Sequence, residues 1–138
     1  MQLRTMLAAA TCAAAVSVSL VPAASAQATE NRTATLQLKA AKVTKAGALV
    51  VNGLYKCKGG QGKFLEVIAR QWQDQLEDEI YAGGAIRDNL TCDNRNRAFK
   101  ITLTSKQGAF QGASYVDVES FLAAPNNDWD EQWGTFST

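Results

Sequence analysis

The sequence contains no histidine, only two prolines and only three cysteines among its 138 residues. The absence of histidine removes the commonest general base and the commonest metal ligand from the chain. Acidic and basic residues nearly balance, with a formal net charge of +1, so the basic excess that is typical of nucleic-acid-binding domains is missing. These shortages weigh against histidine-dependent catalysis, and they predict that the protein binds no nucleic acid.

The first 26 residues have the pattern of a secretory signal peptide. Arg4 provides a positive start, residues 6–21 are apolar and uncharged, and Ala24-Ser25-Ala26 offers the small side chains that a signal peptidase accepts. Cleavage after Ala26 would leave a single domain of residues 27–138, which lacks the ~20 consecutive apolar residues of a membrane span. We therefore predict a secreted, extracellular protein without a membrane span.

Two of the three cysteines are expected to form a disulfide. Cys12 lies in the signal segment, which leaves Cys57 and Cys92 as an even pair in a small exported chain. A redox pair or a metal-binding pair is the alternative, but the two cysteines are far apart in sequence and no histidine could join them. A lipid anchor at Cys12 is the rival interpretation of the N-terminus, but the preceding Ala10-Thr11 does not match the usual lipidation box.

Apolar and polar residues alternate with a period of two over most of the chain beyond the signal segment, which predicts strands. Turns rich in Gly, Asn and Asp separate them. The pattern and one cysteine pair predict an all-β fold, an immunoglobulin-like sandwich of about seven antiparallel strands with one disulfide. The predicted strands cover residues 33–39, 49–57, 64–72, 86–92, 99–104, 114–119 and 133–136.

The stretch from Gln73 to Ile80 fits either a strand or a short helix. Trp72, Leu76 and Ile80 are spaced by four, as on one side of a helical turn. Four carboxylates lie in the same stretch and could pair as acid and base, but neighbours in a solvated run have no reason to acquire split pKa values. A solvated acidic face is the favoured interpretation of this group, namely Asp74, Glu77, Asp78 and Glu79.

A series of motifs runs from residue 47 to residue 118. Its parts are Gly47-x-Leu49-x-Val51-x-Gly53-x-Tyr55-x-Cys57, a Gly-rich turn, an apolar strand ending near Gln71, a second cysteine followed by Asp93, and Phe110-x-Gly112-Ala113. This pattern resembles a family of small secreted actinobacterial domains of unknown function. The resemblance implies export, a sandwich and a disulfide, and it transfers no catalytic residue.

The tail carries the candidate binding residues. Trp129 and Trp133 are four apart, so in a strand they would point to the same face. Exposed indole rings beside carboxylates are typical of carbohydrate-binding surfaces, and packing against the core is the alternative. We assign no metal site and no cofactor, although the oxygen-rich run gives weak candidates for binding Ca²⁺, namely Asn126, Asp128 and Asp130.

Charge is segregated along the chain although it nearly cancels. Residues 27–63 hold seven basic and one acidic residue, which gives +6, and residues 107–138 hold five acidic and no basic residues, which gives −5. One explanation is mutual attraction of the two ends inside the fold, which we favour. The other is a basic face turned to an anionic cell-wall polymer.

These observations predict a secreted, non-enzymatic domain that binds or bridges something outside the cell, with cell-wall polysaccharide as the possible partner. A small carbohydrate-binding module is the more concrete form of this hypothesis. A carboxylate-based hydrolase is the alternative, and it requires two carboxylates about 5 to 10 Å apart in a deep cleft.

Overall fold

The computed structural model describes residues 32–138, which form nine strands, and apolar and polar residues alternate along most of them. The predicted signal peptide, residues 1–26, and Cys12 lie outside the described residues. The strands are β1 (Thr35–Val43), β2 (Leu49–Lys56), β3 (Lys58–Gln61), β4 (Phe64–Gln73), β5 (Asp78–Ile86), β6 (Thr91–Asp93), β7 (Arg97–Leu103), β8 (Tyr115–Ala123) and β9 (Trp129–Ser137).

The strands form two main antiparallel sheets and one small ribbon. The first sheet has the order β1-β2-β7 and the second has the order β5-β4-β8-β9, while β3 pairs with β6. The predicted all-β sandwich of antiparallel strands with one disulfide is thereby confirmed, with nine strands in place of about seven. No helix between residues 32 and 138 is long and apolar enough to cross a membrane.

The core lies between the two sheets because each strand turns alternate residues inward. Leu65, Val67 and Ala69 of β4 are fully buried, and the residues between them point outward. Leu49 and Val51 of β2 are equally buried on the facing sheet. Each fully buried leucine or valine side chain stabilises the fold by about 1.5–3 kcal/mol, so burial of these rows fixes which side of each strand faces solvent.

A disulfide joins Cys57, which links β2 to β3, with Cys92 of β6. Hydrogen bonds reinforce this end of the molecule, because Asn94 donates its backbone N–H to the Cys57 carbonyl and Gly62 donates to the Leu90 carbonyl, both at 2.7 Å. The bridge therefore fastens the short β3–β6 ribbon to the first sheet.

The stretch from Gln73 to Ile80 is a hairpin rather than a helix. β4 ends at Gln73, a tight turn follows in which Glu77 has a φ of 48°, and β5 begins at Asp78. The turn is closed by the Leu76 N–H, which donates to the Gln73 carbonyl at 3.1 Å. The four-residue spacing of apolar residues thus arises from two paired strands and the turn between them.

The predicted strand over residues 86–92 is wrong, because β5 ends at Ile86 and β6 begins only at Thr91. Gly83-Gly84, which the sequence pattern indicates as a break, lies inside β5. A Cβ atom on Gly84 would lie 2.8 Å from the side chain of Leu103, so this glycine permits close packing of β5 against the opposite sheet.

Replacing both Cys57 and Cys92 by alanine should lower the free energy of unfolding by about 2–5 kcal/mol, because the bridge closes a long loop in the unfolded chain. Chemical denaturation of the oxidised protein and of the double variant measures the difference. Reduction of the unchanged protein should reproduce most of the loss. Equal stabilities of all three forms would contradict the prediction.

Candidate functional site

The outer side of the four-stranded sheet carries nearly all the exposed large apolar side chains in the described part of the chain. Five of the six lie there, and the sixth, Leu76, lies in the turn between β4 and β5. We call this side, formed by the outward residues of β4, β5, β8 and β9, the aromatic face. Patches of this kind mark interaction sites in soluble proteins. The five side chains belong to Trp72, Tyr81, Tyr115, Trp129 and Trp133.

Strand register places a charged centre among these rings. Arg70 of β4 lies opposite Tyr81 of β5 on one side and opposite Asp117 of β8 on the other. Asp117 in turn lies opposite Thr135 of β9, whose hydroxyl donates a hydrogen bond to the Asp117 carboxylate at 2.6 Å. One row of side chains thus crosses all four strands.

The next row toward the β8–β9 turn contains Glu119, which lies between Ile68 of β4 and Trp133 of β9. Asp117 and Glu119 are two residues apart on the same face, which separates their Cβ atoms by about 7 Å. Both carboxylates and the Trp133 indole therefore lie within reach of one small ligand.

A groove of about 510 Å³ follows these rows across the aromatic face. Trp133 lines it and is 66% exposed, so the ring is available to a ligand. The other residues that line the groove are mainly charged or polar, and they are Ile68, Arg70, Glu79, Asp117, Val118, Glu119, Gly134 and Thr135.

Trp129 shares this face with Trp133, as the four-residue spacing predicts, but it has different surroundings. Its ring stacks on Phe121 at 5.9 Å between centroids, and the Arg32 guanidinium lies 3.9 Å from its centroid. Phe121 contacts Phe64 at 5.8 Å, and Arg87 lies over Phe64 at 5.4 Å. Trp129 is therefore part of an aromatic ladder with an arginine at each end, and it does not line the groove.

Trp72, Tyr81 and Tyr115 were not predicted as site residues. Trp72 and Tyr81 lie on either side of Gln73–Ile80, a stretch whose sequence fits either a helix or a strand. The sequence alone therefore does not show that the two rings lie on the same face. Recognising the β4–β5 hairpin would have placed both rings on the outward side, because Trp72 pairs with Glu79 and Tyr81 pairs with Arg70. Tyr115 alternates with the buried Val116, which was a usable signal.

The acidic stretch is divided between the β4–β5 turn and the start of β5. Asp74 accepts a hydrogen bond from the Trp72 indole at 2.9 Å, and Asp78 accepts one from the backbone N–H of Glu79 at 2.7 Å. Of the four carboxylates, Glu79 alone lines the groove.

Two aspartates at the start of β9 tie this strand to the start of β1. One oxygen of Asp128 accepts hydrogen bonds from the Thr33 backbone N–H at 2.9 Å, the Thr33 hydroxyl at 2.7 Å and the Ala34 N–H at 2.8 Å. Asp130 accepts from the Leu36 N–H at 2.6 Å. We call these contacts the carboxylate clamp.

Burial by itself would raise the pKa of Asp128, but the hydrogen bonds donated by Thr33, Ala34 and Trp129 outweigh it and hold this pKa below its ordinary value of 3.8. The ionised carboxylate is thus the form that the fold stabilises.

The clamp explains why acidic residues occur in the run that suggested calcium. Asp128 and Asp130 bind backbone N–H groups, and Asn126 lies in a 3₁₀ turn, Pro125–Asn127, with a φ of 60°. Within residues 32–138, no group of three or more Asp, Glu, Cys or His side chains is placed to hold a metal ion. The clamp therefore gives Asp128 and Asp130 a structural role.

Comparison with known proteins adds no identification, since no family model, curated protein or solved structure matches the chain. The resemblance to secreted actinobacterial domains therefore stays a prediction.

Replacing Asp128 by asparagine should lower the free energy of unfolding at neutral pH by about 1 kcal/mol, because charged hydrogen bonds are lost from a partly solvated site. The folded-state pKa of Asp128 lies below 3.8, so the stability it adds is complete above that value. This contribution disappears as the pH falls through 3.8 toward the folded-state pKa.

Urea unfolding between neutral pH and about pH 3 should therefore show the two proteins converging in acid. The pKa of Asp93 is lowered to about 2, chiefly by a hydrogen bond from Arg97. Asp93 is present in both proteins, so its titration cancels from the difference between their stabilities. The matched control is Asp88→Asn, an exposed aspartate in the loop after β5. A loss at Asp128 that persists unchanged in acid, or that Asp88→Asn reproduces, would show that the clamp carries no pH-dependent stability.

Proposed function

We propose that this protein is an exported, non-enzymatic carbohydrate-binding domain that holds a polysaccharide chain on the aromatic face. The observation that carries the proposal is the concentration of five exposed aromatic rings on one sheet face, four of them outside the internally stacked ladder. Exposed aromatic rings lower the solubility of a protein. A ligand that covers them explains why this face carries so many.

The arrangement of the rings suits an extended ligand. Tyr81 of β5 and Trp133 of β9 are separated by three strand spacings, which corresponds to about 14 Å. Trp72 and Tyr115 lie on the two strands between them. Sugar rings can stack their C–H faces on these side chains, while the groove carboxylates and Arg70 accept or donate hydrogen bonds to hydroxyl groups. The face thus offers several adjacent contacts to one linear chain.

The charge of the aromatic face narrows the class of polysaccharide. Its acidic residues are Glu66, Glu79, Asp117, Glu119 and Glu131, and its basic residues are Arg70 and the two arginines that lie over the aromatic ladder, Arg32 and Arg87. Five acidic and three basic residues give the face a charge of −2. A neutral or amine-bearing polymer is therefore preferred to a carboxylated or phosphorylated one.

Export is supported by the signal-like residues 1–26 and by the disulfide, since such bridges persist in oxidising compartments. We extend the proposal to cleavage after Ala26 and to an immunoglobulin-like variant of the sandwich, in line with the strand count and the family resemblance.

Carboxylate-based hydrolysis is the second candidate, and the spacing of Asp117 and Glu119 in the groove favours it. Their Cβ atoms are about 7 Å apart, a separation from which the two flexible carboxylates can reach the spacing of inverting glycosidases. The groove, however, lies on the outer surface of a sheet, where water reaches both groups. Binding without turnover is thus the better supported activity.

Replacing Trp72 and Trp133 together by alanine should weaken binding to insoluble neutral polysaccharide by at least about tenfold, equivalent to about 1.4 kcal/mol. Both rings are exposed, so the melting temperature should change little. Pull-down on chitin, cellulose and purified cell-wall polysaccharide measures the binding, and release of reducing ends is followed in the same tubes.

Trp129→Ala is the matched control, because it removes an indole from the same strand but from the aromatic ladder. It should lower stability and leave binding by the folded protein intact. The proposal fails if Trp129→Ala abolishes binding while the double variant binds normally, or if none of the three materials retains the protein. Release of reducing ends that depends on Asp117 and Glu119 would favour the hydrolase instead.

A further inference from the structure

The outer side of the three-stranded sheet has the opposite chemistry to the aromatic face. Strand register places Thr35, Gln37 and Thr102 there beside smaller apolar residues, and none of the six exposed large apolar side chains of the described chain lies on it. Its charged residues are all lysines. We call this side the lysine face, and its lysines are Lys39, Lys42, Lys56 and Lys100.

No acidic residue faces outward from β1, β2 or β7, so the lysine face carries a charge of +4. Within residues 32–138, the one ion pair joins Arg97 to Asp93 at the start of β7, and it involves none of these lysines. The acidic tail lies beside β1, but its clamp carboxylates bind backbone N–H groups of β1 rather than lysine side chains. The four ammonium groups are therefore not neutralised within the described fold.

The lysines form a strip along the strands. Lys42 lies opposite Val50 near one end of β2, and Lys56 lies at the other end, six residues from Val50 or about 20 Å away. Lys39 occupies the bulge of β1, and Lys100 pairs with Asn52 in the middle of the sheet. The strip is about 10 Å wide, since it covers two strand spacings.

We propose that the lysine face is a second binding site, which takes a linear polymer that carries an anionic group in each repeat, such as a phosphodiester-linked chain. Lysine supplies compact, mobile point charges without the planar fork of arginine, which suits diffuse contact with a repeating anion. With the aromatic face on the opposite side of the sandwich, one molecule could hold an anionic polymer and a neutral polysaccharide at the same time.

Other anionic partners fit this face less well. A membrane surface is usually held by basic residues together with inserted Trp, Phe or Leu side chains, and the lysine face has no exposed side chain of that kind. Single-stranded nucleic acid is usually held by aromatic stacking as well as charge, and the exposed rings of the described chain lie on the opposite sheet.

The test is equilibrium binding of the full chain to long-chain inorganic polyphosphate over a range of salt concentrations. Binding should weaken with salt with a slope of about −3 in a plot of log K against log salt, as expected for about four contacts to a flexible polyanion. Replacing Lys39, Lys42, Lys56 and Lys100 together by glutamine should weaken binding by roughly tenfold or more. Replacing the same four by arginine should preserve it.

The chain offers a control of equal charge, because four further lysines lie off this face, namely Lys45, Lys58, Lys63 and Lys106. Replacing these four by glutamine changes the net charge by the same amount and should alter binding by less than about twofold. Equal losses in the two glutamine variants would overturn the proposal, because net charge alone would then explain the binding.

Two further outcomes would also overturn it. Tighter binding to vesicles of anionic phospholipid than to polyphosphate would point to a membrane surface. Concentration-dependent self-association that the lysine-face variant abolishes would show that the lysine face docks on the aromatic face of a second copy. We expect the aromatic-face variant Trp72→Ala/Trp133→Ala to bind polyphosphate as well as the unchanged protein does. The polyphosphate test is therefore independent of the polysaccharide proposal.

Discussion

The carboxylate clamp between β9 and β1 is the interaction on which the arrangement of both outer faces depends. The inward side of β9 is mostly polar. It presents Asp130, Gln132 and Gly134, and Phe136 is its one apolar side chain. Hydrophobic burial therefore specifies the register of β9 only weakly, and a slip by one residue would turn Trp133 inward. The bond from the Leu36 N–H to Asp130 holds the strand in the register that keeps Trp133 outward.

The position of the Phe136 ring accounts for the small residue beside Trp133. A Cβ atom on Gly134 would lie 2.8 Å from the Phe136 ring and 3.7 Å from the Leu38 side chain. Glycine thus lets Phe136 fold over its own strand toward β1, which gives β9 its one apolar anchor. Hydrogen bonds and this contact together hold β9 against β1.

The strands predicted from the sequence match the structure wherever every second residue of a strand is apolar. β2, β4, β7 and β8 each place a row of buried aliphatic residues inward, and the period of two predicts all of them. The predicted bridge between Cys57 and Cys92 is also confirmed. β5 could not be predicted because Gly83-Gly84 reads as a break although Gly84 serves packing against the opposite sheet, and because the apolar spacing of the turn before β5 imitates a helix.

The site was predictable only in part for related reasons. Trp133 and Trp129 were identified from the tail, but the sequence does not show that Phe121 and Arg32 enclose Trp129. The expected attraction between the basic start and the acidic tail takes another form, since the tail carboxylates bind backbone amides and the lysines of β1 face solvent. Long-range pairing of strands decides such contacts, and no local pattern encodes it.

Oxidative footprinting of the three tryptophans tests the central claim most directly, namely that the aromatic face is where polysaccharide binds. The protein is exposed to a brief pulse of hydroxyl radicals with and without saturating neutral cell-wall polysaccharide, and the oxidised fraction of each indole is measured by peptide mass spectrometry. The account predicts strong protection of Trp72 and Trp133 and little change at Trp129, which is the least exposed of the three because Phe121 and Arg32 pack against it. Unchanged oxidation of Trp72 and Trp133 in the bound protein would contradict it.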